Sequence, residues 1–249
     1  MQSGISVILA PEQVATLWGI PITNTLITSW VAIAILIAIA LVVRSRLSYT
    51  PGRFQLLLES LVVYVQDFIK ETLESETWSR RVFPLIITIF LFIATSNIIE
   101  FTPGIGSVGF FGASGAFTPL LRSVNTDLNV TLTLAIIAVI SIEVIGITAV
   151  GFWRYAGKFF NFTSPLGFVV GLIEFVSELS RFISFSFRLF GNIFAGEVLI
   201  AVVSYFVPYV LPAPLMAFEM FVGFVQAAVF ALLTLFFIKL AITDPHAEH

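Results

Sequence analysis

The chain has 249 residues, of which 58% are hydrophobic and 11% charged, with a net charge of −3. A soluble domain carries about 25% charged residues, so this composition predicts a polytopic membrane protein and leaves no room for a separate soluble domain. There is no cysteine, and the two histidines, His246 and His249, lie in a polar tail; disulfides, thiol catalysis and His- or thiolate-based metal sites are therefore not expected, and the scattered bases argue against a nucleic-acid partner.

Met1 to Ile20 contains Pro11 and Glu12 and lacks the basic, apolar, small-residue order of a cleavable signal. Residues 1–25 read as an outer N-terminal segment, and insertion falls to the first spanning helix. A span needs about 20 apolar residues; the first covers 26–43 and closes on Arg44 and Arg46. From Gly52 to Thr72 a helical period puts Phe54, Leu57, Leu61, Val65, Phe68 and Ile69 on one side and Glu59, Asp67, Lys70 and Glu71 elsewhere. That pattern predicts an amphipathic interfacial helix over 52–75 rather than a span. Arg80 and Arg81 precede a second span, 82–101, and a Gly-rich loop with Arg122 as its only base follows to about Thr126. A third span, 128–152, is followed by Arg154 and Lys158, then by a long helix over 166–206. Pro208, Pro212 and Pro214 force a turn before the last helix, 215–242, and the inner tail, 243–249.

No linker, tandem repeat or low-complexity block divides the chain, so residues 1–249 are expected to form a single integral membrane domain. The fold class is all-α with about five membrane helices, the last two long and carrying the polar residues. Arg44, Arg46, Arg53, Lys70, Arg80, Arg81, Arg154, Lys158 and Lys239 fall on one side and Arg122 on the other. By the positive-inside rule the N-terminus is outside and the C-terminus inside.

The informative residues are those that break the apolar rule. Arg188 stands in a hydrophobic stretch, where a charge costs at least about 3 kcal/mol and so needs a reason. At 100° per residue Ser184, Arg181, Ser177, Glu174, Asn192 and Ala195 all lie within about 40° of it, forming one polar, small-residue stripe. Glu197 comes out near 180° from Arg188 and about 13 Å further along the axis, so a bridge between the two on one helix is a poor alternative. Arginine keeps its proton at any physiological pH and cannot relay one, whereas a desolvated Glu197 can. On the last helix Glu219 and Gln226 are seven residues apart on one face, with Gly223 between them allowing close helix approach. Glu100 and Asp127 add two acids on the outer side, so that Glu100, Asp127, Glu197, Glu219 and Gln226 are candidates to line a path from outside to mid-membrane. Bland roles stand beside these: N-capping for Asp127, a headgroup position for Glu100, an interhelical hydrogen bond for Gln226, and a local ion pair for Glu178 with Arg181. Glu143, deep in the third span, fits either a further group on the path or a neutral acid bonded to a neighbour.

Residues Ser186-Phe187-Arg188-Leu189-Phe190-Gly191-Asn192-Ile193-Phe194-Ala195-Gly196-Glu197 resemble the arginine signature of subunit a of the F-type ATP synthase. Ser96-Asn97-Ile98-Ile99-Glu100 with Pro103, Thr126-Asp127-Leu128-Asn129-Val130-Thr131, and Gln226-Ala227-Ala228-Val229-Phe230 support the resemblance in the same order. It implies a non-catalytic stator subunit that passes protons to a rotating ring of c subunits, assembled with peripheral-stalk subunit b and the rest of the F1F0 complex in a bacterial inner membrane. Arg188 would face the ring carboxylate, with Asn192 beside it and Gln226 across from it. Glu197 and Glu219 would be the acidic pair of the outer half-channel, where relatives often have a histidine at one position, and Glu174 and Ser184 would lie towards the inner half-channel. Arg181-Phe182 departs from the Lys-Pro pair of many relatives.

Two other readings compete. Gly112-Ala113-Ser114-Gly115-Ala116 looks like the nucleophile motif of rhomboid intramembrane serine proteases, but that chemistry needs a histidine base within a membrane helix. A secondary ion transporter or channel also places charges in the membrane, though no inverted repeat relates the halves of this chain. No cofactor is expected, since no phosphate loop of the P-loop form is present.

Overall fold

The computed structural model describes residues 11–17, 20–49, 51–101, 109–111, 117–158, 165–208 and 210–243. The rhomboid-like motif at Gly112–Ala116, Pro103 and the histidines of the tail lie outside them. Five helices are long and apolar enough to cross a membrane: α1 (Asn24–Arg46), α3 (Glu76–Glu100), α4 (Leu128–Val150), α6 (Pro165–Phe206) and α7 (Pro212–Ile242). Two further helices, α2 (Arg53–Leu73) and the short α5 (Phe152–Gly157), complete the helical set among the described residues. The chain is an all-α polytopic membrane protein, with α2 amphipathic and outside the set of apolar spans.

Polar caps set several of the boundaries. Thr23 accepts from Leu26 N at the start of α1, Ser75 from Trp78 N at the start of α3, and Asp127 from Asn129 N at the start of α4. Helix α3 begins at Glu76, six residues before the apolar run at Val82. Its first turns are held by an Arg80–Glu76 ion pair at 2.9 Å, and Glu76 also pairs with Lys70 of α2. Helix α4 stops at Gly151, whose φ of +93° is a conformation that disfavours a side chain. Pro212 opens α7 at the first turn, where its missing N–H is not needed.

Helix α7 is the centre of the bundle. It packs on α3, α4 and α6, while α1 rests on α3. Two clusters make up the core: Val82, Ile86, Ile142, Leu235 and Ile238 towards the inner end, and Ile89, Ile93, Ala135, Ala138, Leu189, Ile193 and Ala227 in the middle. Phe185 of α6 makes edge-to-face contacts with Phe230 and Phe237 of α7, centroids 4.8 and 5.6 Å apart, clamping the two long helices together. The opposite side of α6 is uncovered: Ile173, Val176, Ile183 and Phe187 are all exposed. At 42 residues α6 is about 63 Å long, about twice the hydrocarbon thickness, so it either inclines steeply or projects beyond it.

At the end of the bundle where α1 starts, two short antiparallel strand pairs form in the N-terminal segment and the Gly-rich loop: β1 (Gln13–Leu17) with β2 (Ile20–Thr23), and β3 (Gly109–Phe111) with β4 (Phe117–Pro119). Buried polar residues at the head of α1 tie this region down. Thr25 Oγ1 donates to Asp127 Oδ2 at 2.8 Å, Arg122 N donates to Thr28 Oγ1 at 3.0 Å, and Asn24 N donates to the Glu12 carbonyl at 3.1 Å.

Candidate functional site

Two groups of polar side chains lie within the helical bundle. The outer group forms where α3, α6 and α7 approach one another. Asn97 of α3 donates to the Gly223 carbonyl of α7 at 2.8 Å and accepts from Asn125 at 2.6 Å. A Cβ on Gly223 would stand 2.9 Å from Asn97 Cβ, so the glycine sets this close approach. One turn along α3, Glu100 Oε2 accepts from Ser123 Oγ at 2.7 Å. Glu219 is 6% exposed, and its carboxyl lies directly against Gly196, where a Cβ would overlap it. Glu197 is the next residue on α6, and its Oε2 is buried with no hydrogen-bond partner. Both Glu197 and Glu219 lie within Coulombic range of Glu100, so three carboxyls from three helices gather here, and Arg122 is within the same range.

Asp127 is separate from that gathering. Its Oδ1 accepts from the backbone and side chain of Asn129 at 2.9 and 3.1 Å and its Oδ2 accepts from Thr25, so the carboxylate serves as a cap and a tether to α1. Asn97, Asn125 and Ser123 are polar members that sequence reasoning did not weigh as site residues. Asn97 lies three residues before Glu100, on the same helix face, which is the signal that could have found it.

Arg188 is exposed on the uncovered side of α6, and its guanidinium donates to Ser184 Oγ one turn away at 3.0 Å. Among the described residues no carboxylate stands within ion-pair distance of it. Arg188 and Ser184 border a cavity of about 280 Å³ that continues past Ser180 and Ser177 to Arg181 and is closed by Phe185, Leu233 and Phe237. Hydroxyl-lined space of that size holds several waters. Asn192 is exposed one turn beyond Arg188, and Gln226 is half-buried on α7 with no hydrogen bond to Arg188.

At the inner end of the cavity the charges are matched. The expected Arg181–Glu178 pair forms at 2.7 Å with both side chains about nine-tenths buried, and the Arg181 guanidinium sits 3.9 Å from the centre of the Phe237 ring. Lys158 reaches from the end of α5 to Glu174 at 2.5 Å and Glu178 at 3.3 Å. Lys158 and Tyr155 were not foreseen because α5 is too short to carry a periodic signal, and its contacts are made only when it folds back on α4. Burial, followed by the neighbouring Glu143 carboxyl, pushes the Tyr155 hydroxyl above its usual range. The described residues hold no cluster of acids and histidines suited to a metal ion.

Residues 26–239 match the family model described as ATP synthase A chain. Over 238 residues the chain is 33% identical to the sodium-ion-specific ATP synthase subunit a of Propionigenium modestum, covering 94% of this chain and 79% of that protein. It is 30% identical over 228 residues to ATP synthase subunit a of Moorella thermoacetica, covering 92% and 94% of the two chains. Against ATP synthase subunit a of Mycobacterium bovis the identity is 33% over 244 residues, covering 96% and 94%.

Proposed function

The chain belongs to the ATP synthase A chain family, and on that premise we propose that it is the stator subunit that carries ions past a rotor ring in the F0 sector of an F-type ATP synthase. Two half-paths meet near Arg188, which faces a carboxylate on the rotor. The observation that carries this reading is an arginine exposed on an uncovered helix face, beside a hydroxyl-lined cavity, with no acid among the described residues to neutralise it. A permanent cation in that setting is stabilised by an anion from another subunit.

Glu100, Glu197 and Glu219 form the outer half-path in this account. Carboxyls gathered from three helices exchange protons in coupled steps. A rotor carboxyl arriving at Arg188 loses its proton to the inner cavity, is held by the guanidinium, and is recharged from the outer acids after it moves on. Because Arg188 cannot be deprotonated, it also blocks direct leakage between the two sides. The pairing must stay hydrated to remain transient, and the serine-lined cavity with its exposed Arg188 supplies that water. Ser184 and Glu174 belong to the inner half-path, with Asn192 and Gln226 flanking the point of exchange; Asp127 acts at its margin by anchoring α4. The remaining partners are the lipid bilayer, peripheral-stalk subunit b and the F1 sector. The bacterial relatives and the distribution of bases support a cell inner membrane with the N-terminus outside.

Replacing Arg188 by alanine in the assembled complex tests the proposal. Coupled ATP synthesis and ATP-driven pumping are expected to vanish while the complex still assembles; retained coupling overturns the reading. The sodium dependence of ATP hydrolysis decides which ion is carried, a question raised by the sodium-specific relative.

A further inference from the structure

Glu143 is the one acid deep in α4, seven residues or about 10 Å from its inner end, and the path described above does not use it. Its neighbours come from other helices. After Gly151 turns the chain, α5 folds back so that the Tyr155 ring rests on Gly146, where a Cβ would stand 3.0 Å from ring Cζ. Tyr155 is 6% exposed, and its hydroxyl lies within electrostatic reach of the Glu143 carboxyl. Lys158, 5.7 Å from the centre of the same ring, belongs with Glu174, Glu178 and Arg181 to the inner ion-pair network. Glu178, Lys158 and Arg181 all lie within Coulombic range of Glu143. On α7 the inner base Lys239 is paired at 2.8 Å with Glu74 of α2 instead.

The charge count singles out Glu143. Among the described residues three carboxyls, Glu143, Glu174 and Glu178, share two cations: Lys158 is bonded to Glu174 and Glu178, and Arg181 to Glu178. Glu143 is the surplus acid. It faces a neutral hydroxyl, and its Oε1 is buried with no hydrogen-bond partner among the described residues. An acid so placed can gain or lose a proton without breaking an ion pair. Arg181 stands both in this network and in the wall of the Arg188 cavity, so the acid lies within Coulombic range of a side chain that borders that cavity.

We propose that Glu143 is a proton-carrying group of the inner half-path, with Tyr155 positioning its carboxyl. As a carboxylate it accepts, through water, the proton released into the cavity; as a carboxylic acid it returns that proton to water at the inner face, so each cycle leaves it unchanged. This inference rests on the function proposed above.

The test uses the whole F1F0 complex in liposomes, with passive proton conduction read against the pH of the inner side and Arg188→Ala measured in parallel. Glu143→Gln keeps the size of the side chain and an oxygen facing Tyr155, so a purely structural role survives it. A proton-carrying role predicts a conduction loss of about 10-fold, below the ~100-fold of a sole acid–base group because cavity water offers a parallel route, and recovery in Glu143→Asp. Tyr155→Phe removes the hydroxyl that neighbours the Glu143 carboxyl, so the inner-side pH profile shifts while the outer-side profile does not. Unchanged conduction in Glu143→Gln, alongside uncoupling by Arg188→Ala, overturns this inference and leaves the function standing. If Glu143→Gln does not assemble, an unmoved profile in Tyr155→Phe overturns it instead. Coupling retained in Arg188→Ala removes both.

Discussion

The outer acids and the inner acids of this chain are held in opposite ways. At the outer end Glu100, Glu197 and Glu219 converge with hydroxyls and amides for company, and Arg122 acts on Glu100 through its charge. At the inner end Glu174 and Glu178 are locked to Lys158 and Arg181 within 3.3 Å. Desolvated carboxyls without a counter-ion exchange protons at modest cost, whereas buried ion pairs hold their charges and resist titration. The contrast separates the outer acids from Glu178, whose buried pair with Arg181 fixes the scaffold, and leaves the more accessible Glu174 to line the inner half-path, a distinction that residue type alone does not supply.

Removing both Glu197 and Glu219 as glutamines strikes the transport side of this contrast hardest. Proton flux through the complex is expected to collapse in the double variant and to fall less in either single one, because each carboxyl substitutes in part for the other. A double variant with normal flux removes the pair from the path. On the scaffold side, Glu178→Gln strands the buried Arg181 guanidinium and weakens Lys158. Breaking a buried pair costs about 3 kcal/mol or more, so thermal unfolding of the purified complex should show a clear loss of stability. If unfolding is unchanged while flux falls, Glu178 belongs with the transporting acids. The exposed Glu74–Lys239 pair marks the lower end of the scale. The Lys239 ammonium, through its hydrogen bond and then its charge, holds Glu74 below the usual carboxylate range. Its contribution is therefore present above about pH 4.3, the unfolded value, and disappears as pH falls through the depressed one. Glu74→Gln should leave the melting temperature unchanged in acid and nearly so at neutral pH, since solvent screens the pair.

Hydropathy alone was enough to read the five spans and the amphipathic α2, because each is governed by local periodicity and length. The start of α3 was less legible: Arg80 and Arg81 look like a boundary until the Ser75 cap and the Glu76–Arg80 pair show a charged first turn of the same helix. The strand pairs at 13–23 and 109–119 carry no strong alternation, and they form beside the tethered head of α1. Helical phase separated Arg188 from Glu197 correctly as faces of one helix. It could not show that Glu219 rests on Gly196, that Asn97 bonds across to Gly223, or that Tyr155 returns to Glu143, since each depends on how two elements dock. Asp127 shows the converse: a residue whose reading as a cap is visible in the local sequence and is realised, while its tether to Thr25 of α1 is not.

The chain has no cysteine, which makes the central claim directly testable by disulfide cross-linking. Single cysteines placed at Phe187 or Asn192, exposed on the same side as Arg188, should each form a disulfide with a cysteine set beside the rotor carboxylate, blocking ATP-driven pumping until a reductant is added. A cysteine at Ile193, 2% exposed on the packed side of α6, should not. Cross-links from position 193, or none from 187 and 192, would contradict the account that the Arg188 face of α6 meets the rotor.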